Sequence, residues 1–367
     1  MNIHSQATAW CRAALIGIVL AAGVTACGGD DDDPAPPVAT SPYAATVLVA
    51  DAAPASHVDP NLVNAWGIAF NPTGFVWVAN QGSSTSTLYD GNGVPQTLVV
   101  AIPAGTAGAT RPTGIVFNAS TDFKVTQNGV TGASPFIFAG EAGTISGWSP
   151  TVNRTNAVTV VDTGGAALYK GLAIATAGGA NFIYATDFRN GRIDVYDATW
   201  QKVTLSGGSF ADPTLPAGFA PFGIQAAGNR IYVSYAASNG AGTDNLTGAG
   251  QGVINAFDTN GAFVARVASG GALNAPWGMA IAPASFGDFS NSLLVANVGD
   301  GRINAFNPTT GALIGTLSRA GNTPIVIDGL WGIAFGNGVQ AQPATTLFYT
   351  AGPGNETHGQ YGRIDLQ

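Results

Sequence analysis

One block of sequence recurs six times between residues 66 and 366, and no other feature limits the fold of this 367-residue chain as strongly. Each block opens on an apolar segment built around a glycine: Trp66-Gly67-Ile68, Thr113-Gly114-Ile115, Lys170-Gly171-Leu172, Phe222-Gly223-Ile224, Trp277-Gly278-Met279 and Trp331-Gly332-Ile333. Successive glycines lie 47, 57, 52, 55 and 54 residues apart. A second apolar segment follows, as at Val76–Asn80, Phe182–Asp187 and Leu293–Asn297, and then a third, as at Arg192–Tyr196. Five of the six third segments run into turns such as Asp90-Gly91-Asn92-Gly93, where Gly and Asn supply the positive φ that tight turns need. A fourth segment follows, as at Gln96–Val100 and Ala262–Val267.

Four short antiparallel strands repeated about every 50 residues predict an all-β fold, a six-bladed β-propeller. No stretch carries a helical period, so crossover helices of an α/β fold have no support, and a β-sandwich has no need of six similar units. The ends of the chain carry a separate signal. The last repeat stops at its third strand, Tyr361–Leu366, while an orphan strand, Ala45–Ala50, precedes the first repeat. We therefore expect the N-terminal strand to complete the last blade. Such closure leaves no unpaired sheet edge at the seam.

Residues 1–26 read as a lipoprotein signal peptide. Residues 1–12 hold one Arg and no acid, and the apolar run Ala13–Val24 is too short to span a bilayer as a helix. Val24-Thr25-Ala26-Cys27 resembles a bacterial lipobox, which implies lipidation of Cys27; an ordinary signal peptide is the alternative. Residues 27–42 (CGGDDDDPAPPVATSP) form an acidic, Pro-rich tether, and the propeller runs over residues 43–367. The expected address is extracytoplasmic, anchored by lipid. Gly28 after the Cys points, by resemblance to lipoprotein sorting, to the outer membrane of a Gram-negative bacterium. The two cysteines are Cys11, in the leader, and Cys27, so the propeller has no thiol for a disulfide, a nucleophile or a thiolate metal site. A charged fraction of 9% and a net charge of −8 speak against a nucleic-acid partner.

The segments AWGIAFNPTG, LNAPWGMAIAP, LLVANVGDGRINAFNPTTG and GLWGIAFGNG resemble a family of exported bacterial propellers of conserved hypothetical proteins. The resemblance covers the chain from about Tyr43 onward and implies a propeller and export, with no activity attached. More distantly, the blade pattern is similar to NHL repeats and gluconolactonase-like propellers.

In a propeller, the loops entering first strands and those joining second to third strands open on one face, around the channel mouth. The scarce reactive residues map there. Glu141, Glu356 and His358 fall in second-to-third loops and His57 in the loop entering blade one. His57, His358, Glu356 and Asp59, with Asp328 nearby, make one candidate metal site at the junction of blades six and one; turn capping and ring closure are the alternative roles. A second candidate set holds channel-mouth residues: Asn80, Glu141, Asp187 and Asn297 at or near the ends of second strands. Oxygen ligands of this kind suit a divalent cation such as calcium, although Asn and Asp also end strands by bonding nearby backbone. A third set precedes the opening glycines: Trp66, Thr113, Lys170, Phe222, Trp277 and Trp331. Its aromatics suit either ligand stacking or, as strand alternation favours, core packing. Lys170 is the exception, since an amine among aromatics must reach solvent or a carboxylate; Tyr169 and Arg111 stand beside it. The recurring Gly191–Asp194, Gly301–Asn304 and Gly362–Asp365 units read as structural, and the Gly-rich segment Ala236–Gln251 as a surface loop or a lid over the mouth.

No nucleophile elbow, zinc-protease or phosphate-loop motif is present. The sequence therefore favours a binding or scaffold module that meets a small ligand or protein through its channel-mouth face. The alternative is a divalent-metal-dependent hydrolase of the lactonase type.

Overall fold

The computed structural model describes residues 41–367. The expected signal peptide, Cys27 and the expected tether up to residue 40 lie outside the described residues. The described chain is all-β, and its one helical segment is the 3-10 turn Gly287–Phe289. The repeats form six sheets, each running outward from the strand that carries the opening glycine. Blade one is Ala65–Phe70, Val76–Asn80, Thr85–Tyr89 and Pro95–Ala101, joined in sequence order by antiparallel pairing. Blades two to five begin at Pro112–Phe117, Tyr169–Ala177, Phe219–Ala227 and Pro276–Ile281.

Blade six closes the ring as expected. Tyr43–Ala50 pairs antiparallel with Gln360–Leu366, the third strand after Leu330–Phe335 and Leu347–Ala351. The register sets Tyr43 against Leu366 and Ala50 against Gln360. The buried Tyr43 hydroxyl donates to the Phe286 carbonyl at 2.8 Å, fastening this strand to blade five as well. The repeat did not announce four additions: His57–Val58 parallel to Tyr43–Ala50, Asn245–Leu246 on blade four, a hairpin, Lys124–Gln127 with Val130–Ala133, inserted in blade two, and a small hairpin, Ser318–Arg319 with Thr323–Pro324, between blades five and six.

The opening glycines set the spacing of the ring. A Cβ on Gly67 would lie 2.5 Å from the Thr113 carbonyl oxygen, and one on Gly171 would lie 2.9 Å from that of Phe222. Cβ atoms on Gly114, Gly223 and Gly278 would strike backbone atoms of Leu172, Trp277 and Trp331. A Cβ on Gly332 would complete the circle, 2.6 Å from the Trp66 carbonyl oxygen. Hydroxyls reinforce three seams: Thr113 donates to Tyr169 O and Thr186 to Phe222 O, each at 2.8 Å, and Thr350 donates to Trp66 O. Apolar clusters fill every gap between neighbouring blades, for example Trp77 and Leu88 of blade one against Phe136 and Trp148 of blade two.

A separate aromatic cluster sits on the axis. Trp66 stacks on Trp331 with centroids 3.6 Å apart and meets Phe222, from the opposite blade, edge-on at 6.5 Å; Trp277 lies 5.9 Å from Trp331. These side chains belong to the core, but their packing differs from the expected blade-on-blade stacking. Register shifts fall at the opening glycine in most blades, as between Ala65 and Ile68, and break strict alternation there. The aromatics before the glycines therefore meet across the axis as a plug, while Ile68, Ile115, Leu172, Ile224, Met279 and Ile333 line the channel beyond it.

Filling one of these contacts should break the ring locally. Gly223→Ala is expected to cost about 3 kcal/mol through backbone displacement. Gly178→Ala, where only a φ of +57° opposes the change and no atom lies within 4 Å, should cost about 1 kcal/mol. Equilibrium denaturation of the two variants checks the order.

Candidate functional site

The channel mouth above the aromatic plug is a cup of ≈ 510 Å³. Loops of five blades contribute to it. Both glutamates of the chain, Glu141 and Glu356, line it, together with one of its three lysines, Lys170. Gln81, Arg111, Arg189 and Asp244 complete its polar wall.

Lys170 stands at the start of the first strand of blade three and is 3% exposed. Its backbone is held by Trp277, whose indole N–H donates to the Lys170 carbonyl at 2.8 Å. Its ammonium finds a carboxylate rather than solvent. Nζ lies 4.9 Å over the Trp66 ring and donates to Glu141 Oε1 at 2.5 Å. Glu141 in turn accepts from Gln81 Nε2 at 2.7 Å, so both its oxygens are engaged. Gln81 Oε1 accepts from Asn64 Nδ2 at 3.0 Å, and the same amide nitrogen donates to Glu356 Oε2 at 2.8 Å. Asn64 Oδ1 accepts from Trp331 Nε1 at 3.1 Å, tying this chain of polar groups to the plug. The network therefore runs from blade three through blades two and one to blade six.

The Glu356 residue opens to the cup, yet desolvation of its carboxyl is the main influence on it and pushes it above the usual carboxylate range. The Asn64 hydrogen bond and Lys170 oppose that shift, while the charges of Glu141 and Asp244 add to it. Asp244, most of it exposed, approaches Lys170 Nζ to 4.0 Å. It comes from the Gly-rich Ala236–Gln251 segment, which thus borders the cup through Thr243 and Asp244. Arg189 donates to the Gly165 carbonyl, and Arg111 holds a left-handed backbone, φ 49°, just before the first strand of blade two.

Of the channel-mouth candidates, Glu141, Lys170 and Arg111 come together here. Asn80, Asp187 and Asn297 do not line the cup; each is fully buried and bonded within its own blade. Asn80 donates to Thr85 and Thr87, Asp187 accepts from the Leu168 amide and Asn190, and Asn297 donates to Ala272 O and accepts from the Asn274 amide. The reason is an offset of one residue. In blades one and two the residue after the second strand faces the mouth, Gln81 after Asn80 and Glu141 after Gly140, while Phe188 after Asp187 and Val298 after Asn297 pack with the aromatic plug. Tyr169 also turns away; its hydroxyl donates to Asp194 Oδ2 at 3.0 Å beside Tyr196, and burial raises it far above the usual tyrosine range.

The set at the junction of blades six and one is not assembled as a metal centre: among the described residues no three His, Cys, Asp or Glu side chains form a group able to hold an ion. Each member is engaged elsewhere. His358 Nδ1 pairs with Asp51 Oδ2 at 2.9 Å, Asp59 accepts from Asn61 and from the Tyr89 hydroxyl at 2.9 Å, and Asp328 accepts from the Gly354 amide. His57 sits in the short strand beside Val49, and Glu356 reaches the cup instead. The Arg–Asp units are structural, as Arg192 with Asp194 (2.8 Å) and Arg363 with Asp365 (2.7 Å) show.

Two outcomes test this wiring. Lys170→Met leaves the Glu141 carboxylate largely buried without its cation and should cost about 3 kcal/mol, part of which Lys170→Met with Glu141→Gln restores. Glu356→Gln should raise Tm at pH 7, because the folded state disfavours the ionised acid. That gain should vanish as pH falls below the ordinary glutamate value, where the native side chain is protonated in both states. Thermal melts at pH 7 and pH 3.5 read the difference.

No family model matches the sequence. An uncharacterised protein of Acanthamoeba polyphaga mimivirus is 34% identical over 319 residues, covering 84% of this chain and 76% of that protein. A second uncharacterised protein of the same virus is 32% identical over 292 residues, covering 76% of this chain and 75% of that one. Among solved structures, streptogramin B lyase is similar with a TM-score of 0.48 and 12% identity, over 89% of this chain and 98% of the other. The PQQ-bound aldose sugar dehydrogenase of Streptomyces coelicolor has a TM-score of 0.49 and 16% identity, over 91% of this chain and 100% of the other. The curated relatives are viral, where the sequence motifs had suggested bacterial kin. The chain belongs to the family that these two mimivirus proteins represent.

Proposed function

We propose that this chain is a membrane-tethered, extracytoplasmic propeller that binds a small polar ligand in the cup at its channel mouth. The observation that carries the reading is the convergence of Glu141, Glu356 and Lys170, scarce residue types drawn from three blades, above a closed aromatic floor. The cup's volume suits a small molecule, and its polar groups are held in place by one another before any ligand arrives. A structural role alone does not require ionisable groups to gather where the channel opens. The metal-dependent hydrolase reading lacks a ligand trio among the described residues, so binding is the better-supported reading.

The tether and address rest on the sequence of residues 1–42. The apolar leader, small residues before Cys27 and an acidic spacer suit a lipidated N-terminus that leaves the propeller free of the bilayer. Among the described residues no helix is long and apolar enough to cross a membrane.

Intrinsic fluorescence tests the cup, because Trp66 lies beneath Lys170 and should report occupancy. A screen of small polar metabolites against the full chain in detergent is expected to give a saturable change that Lys170→Met and Glu141→Gln abolish. A ligand whose binding survives both substitutions places the site elsewhere. For the anchor, Cys27→Ser should move the protein from the membrane fraction to the soluble fraction in a Gram-negative bacterial host.

A further inference from the structure

The charges in the cup are not matched pair by pair. Lys170 and Glu141 form a closed pair at 2.5 Å. Three groups remain open. Among the described residues the Arg111 guanidinium has no partner, and that of Arg189 holds only the Gly165 carbonyl. Glu356 gives one oxygen to Asn64, while Oε1 accepts no hydrogen bond. These open groups are also separated around the ring. Arg111 enters blade two and Arg189 follows the second strand of blade three, whereas Glu356 belongs to blade six, which a six-membered ring sets opposite blade three.

Resting on the binding reading above, we infer that the ligand is a small dipolar molecule, an amino acid or short peptide with free termini. Its carboxylate lies between Arg111 and Arg189, and its ammonium lies on Glu356. A simple anion would satisfy the two guanidiniums but face Glu141, Asp244 and Glu356 in the same cup. A simple cation would satisfy Glu356 and face two unpaired guanidiniums and Lys170. A neutral sugar would leave every open charge as it stands while removing water from it, which is costly. A dipolar ligand meets both ends and keeps the balance of three cations and three carboxylates lining the cup. Arginine suits the anionic end, since its planar fork accepts a carboxylate through two parallel hydrogen bonds. Desolvation disfavours the ionised Glu356 carboxyl, and a ligand cation beside it offsets that cost.

The test uses the full chain in detergent, titrated by calorimetry or tryptophan fluorescence with amino acids, dipeptides and tripeptides. Each probe is compared with its N-acetylated form, which removes the cation, and its C-amidated form, which removes the anion. At least one free-termini probe should bind, and either cap should weaken it ten-fold or more. Glu356→Gln should erase the penalty for acetylation but keep that for amidation, and Arg111→Gln with Arg189→Gln should do the reverse. These side chains lie at the open rim, and the capped ligands discriminate without any variant. Equal binding of free and capped probes overturns the inference. A parallel panel of neutral sugars and sugar acids separates the two readings. Binding confined to that panel, lost in Lys170→Met, overturns the dipolar ligand and leaves the cup as a binding site. Binding from neither panel overturns both.

Discussion

Backbone against backbone at six glycines is the contact on which the rest of this structure depends. Around the channel, the first strand of each blade lies so close to the next that a single methyl group would strike a carbonyl oxygen or an amide in most of the seams. That approach holds the inner strands at a narrow radius and lets the wedge-shaped gaps farther out fill with larger side chains, from Trp77 and Phe136 to Leu48 and Phe348. It also breaks the strand register at the glycine, which re-aims the preceding residue along the axis. Trp66, Phe222, Trp277 and Trp331 use that freedom to seal the channel, and Lys170, in the equivalent position of blade three, uses it to present an amine above the seal.

The cup follows from closure as much as from composition. Asn64 and Glu356 are 292 positions apart in sequence, and their hydrogen bond exists because Tyr43–Ala50 pairs with the last strand and sets blade six against blade one. Once these loops share a rim, a chain of amides and carboxylates links Trp331 to Lys170, each group satisfying the next. A buried polar network of this kind is stable when its members are paired and costly when one is missing. The pairing is complete at the centre, between Lys170 and Glu141, and incomplete at the rim. A binding site needs that division: a fixed interior and a margin left open for the ligand.

Much of the ring was legible in the sequence because it depends on period. Glycine spacing, strand count and the orphan N-terminal strand are one-dimensional signals that a closed propeller satisfies in one way. The cup was legible only in part. Lys170 stood out as an amine among aromatics, and Glu141 and Glu356 as the chain's two glutamates, because their chemistry conflicts with the repeat around them. Gln81 escaped notice since Asn80 beside it matched the strand-end pattern, and one residue of offset decides which of the two faces the mouth. Asn64, Arg189 and Asp244 carry no local signal, as their roles come from loops meeting across the ring. Glu356 fell in the expected loop, but beside His358 it suggested a metal ligand; the backbone turns the two apart, toward the cup and toward Asp51.

Closure by the N-terminal strand is the claim on which the cup's neighbours rest, and a designed crosslink measures it directly. Ala44 faces Asp365 across the seam, and a chain with Ala44→Cys and Asp365→Cys, with Cys11 and Cys27 replaced by Ser, offers no other thiol. Mild oxidation should give an intramolecular disulfide in the monomer and a thermal transition several degrees higher than in the reduced form, because the bond closes nearly the whole chain into one loop. Thiols that stay free, or that pair only between molecules, would rule this closure out.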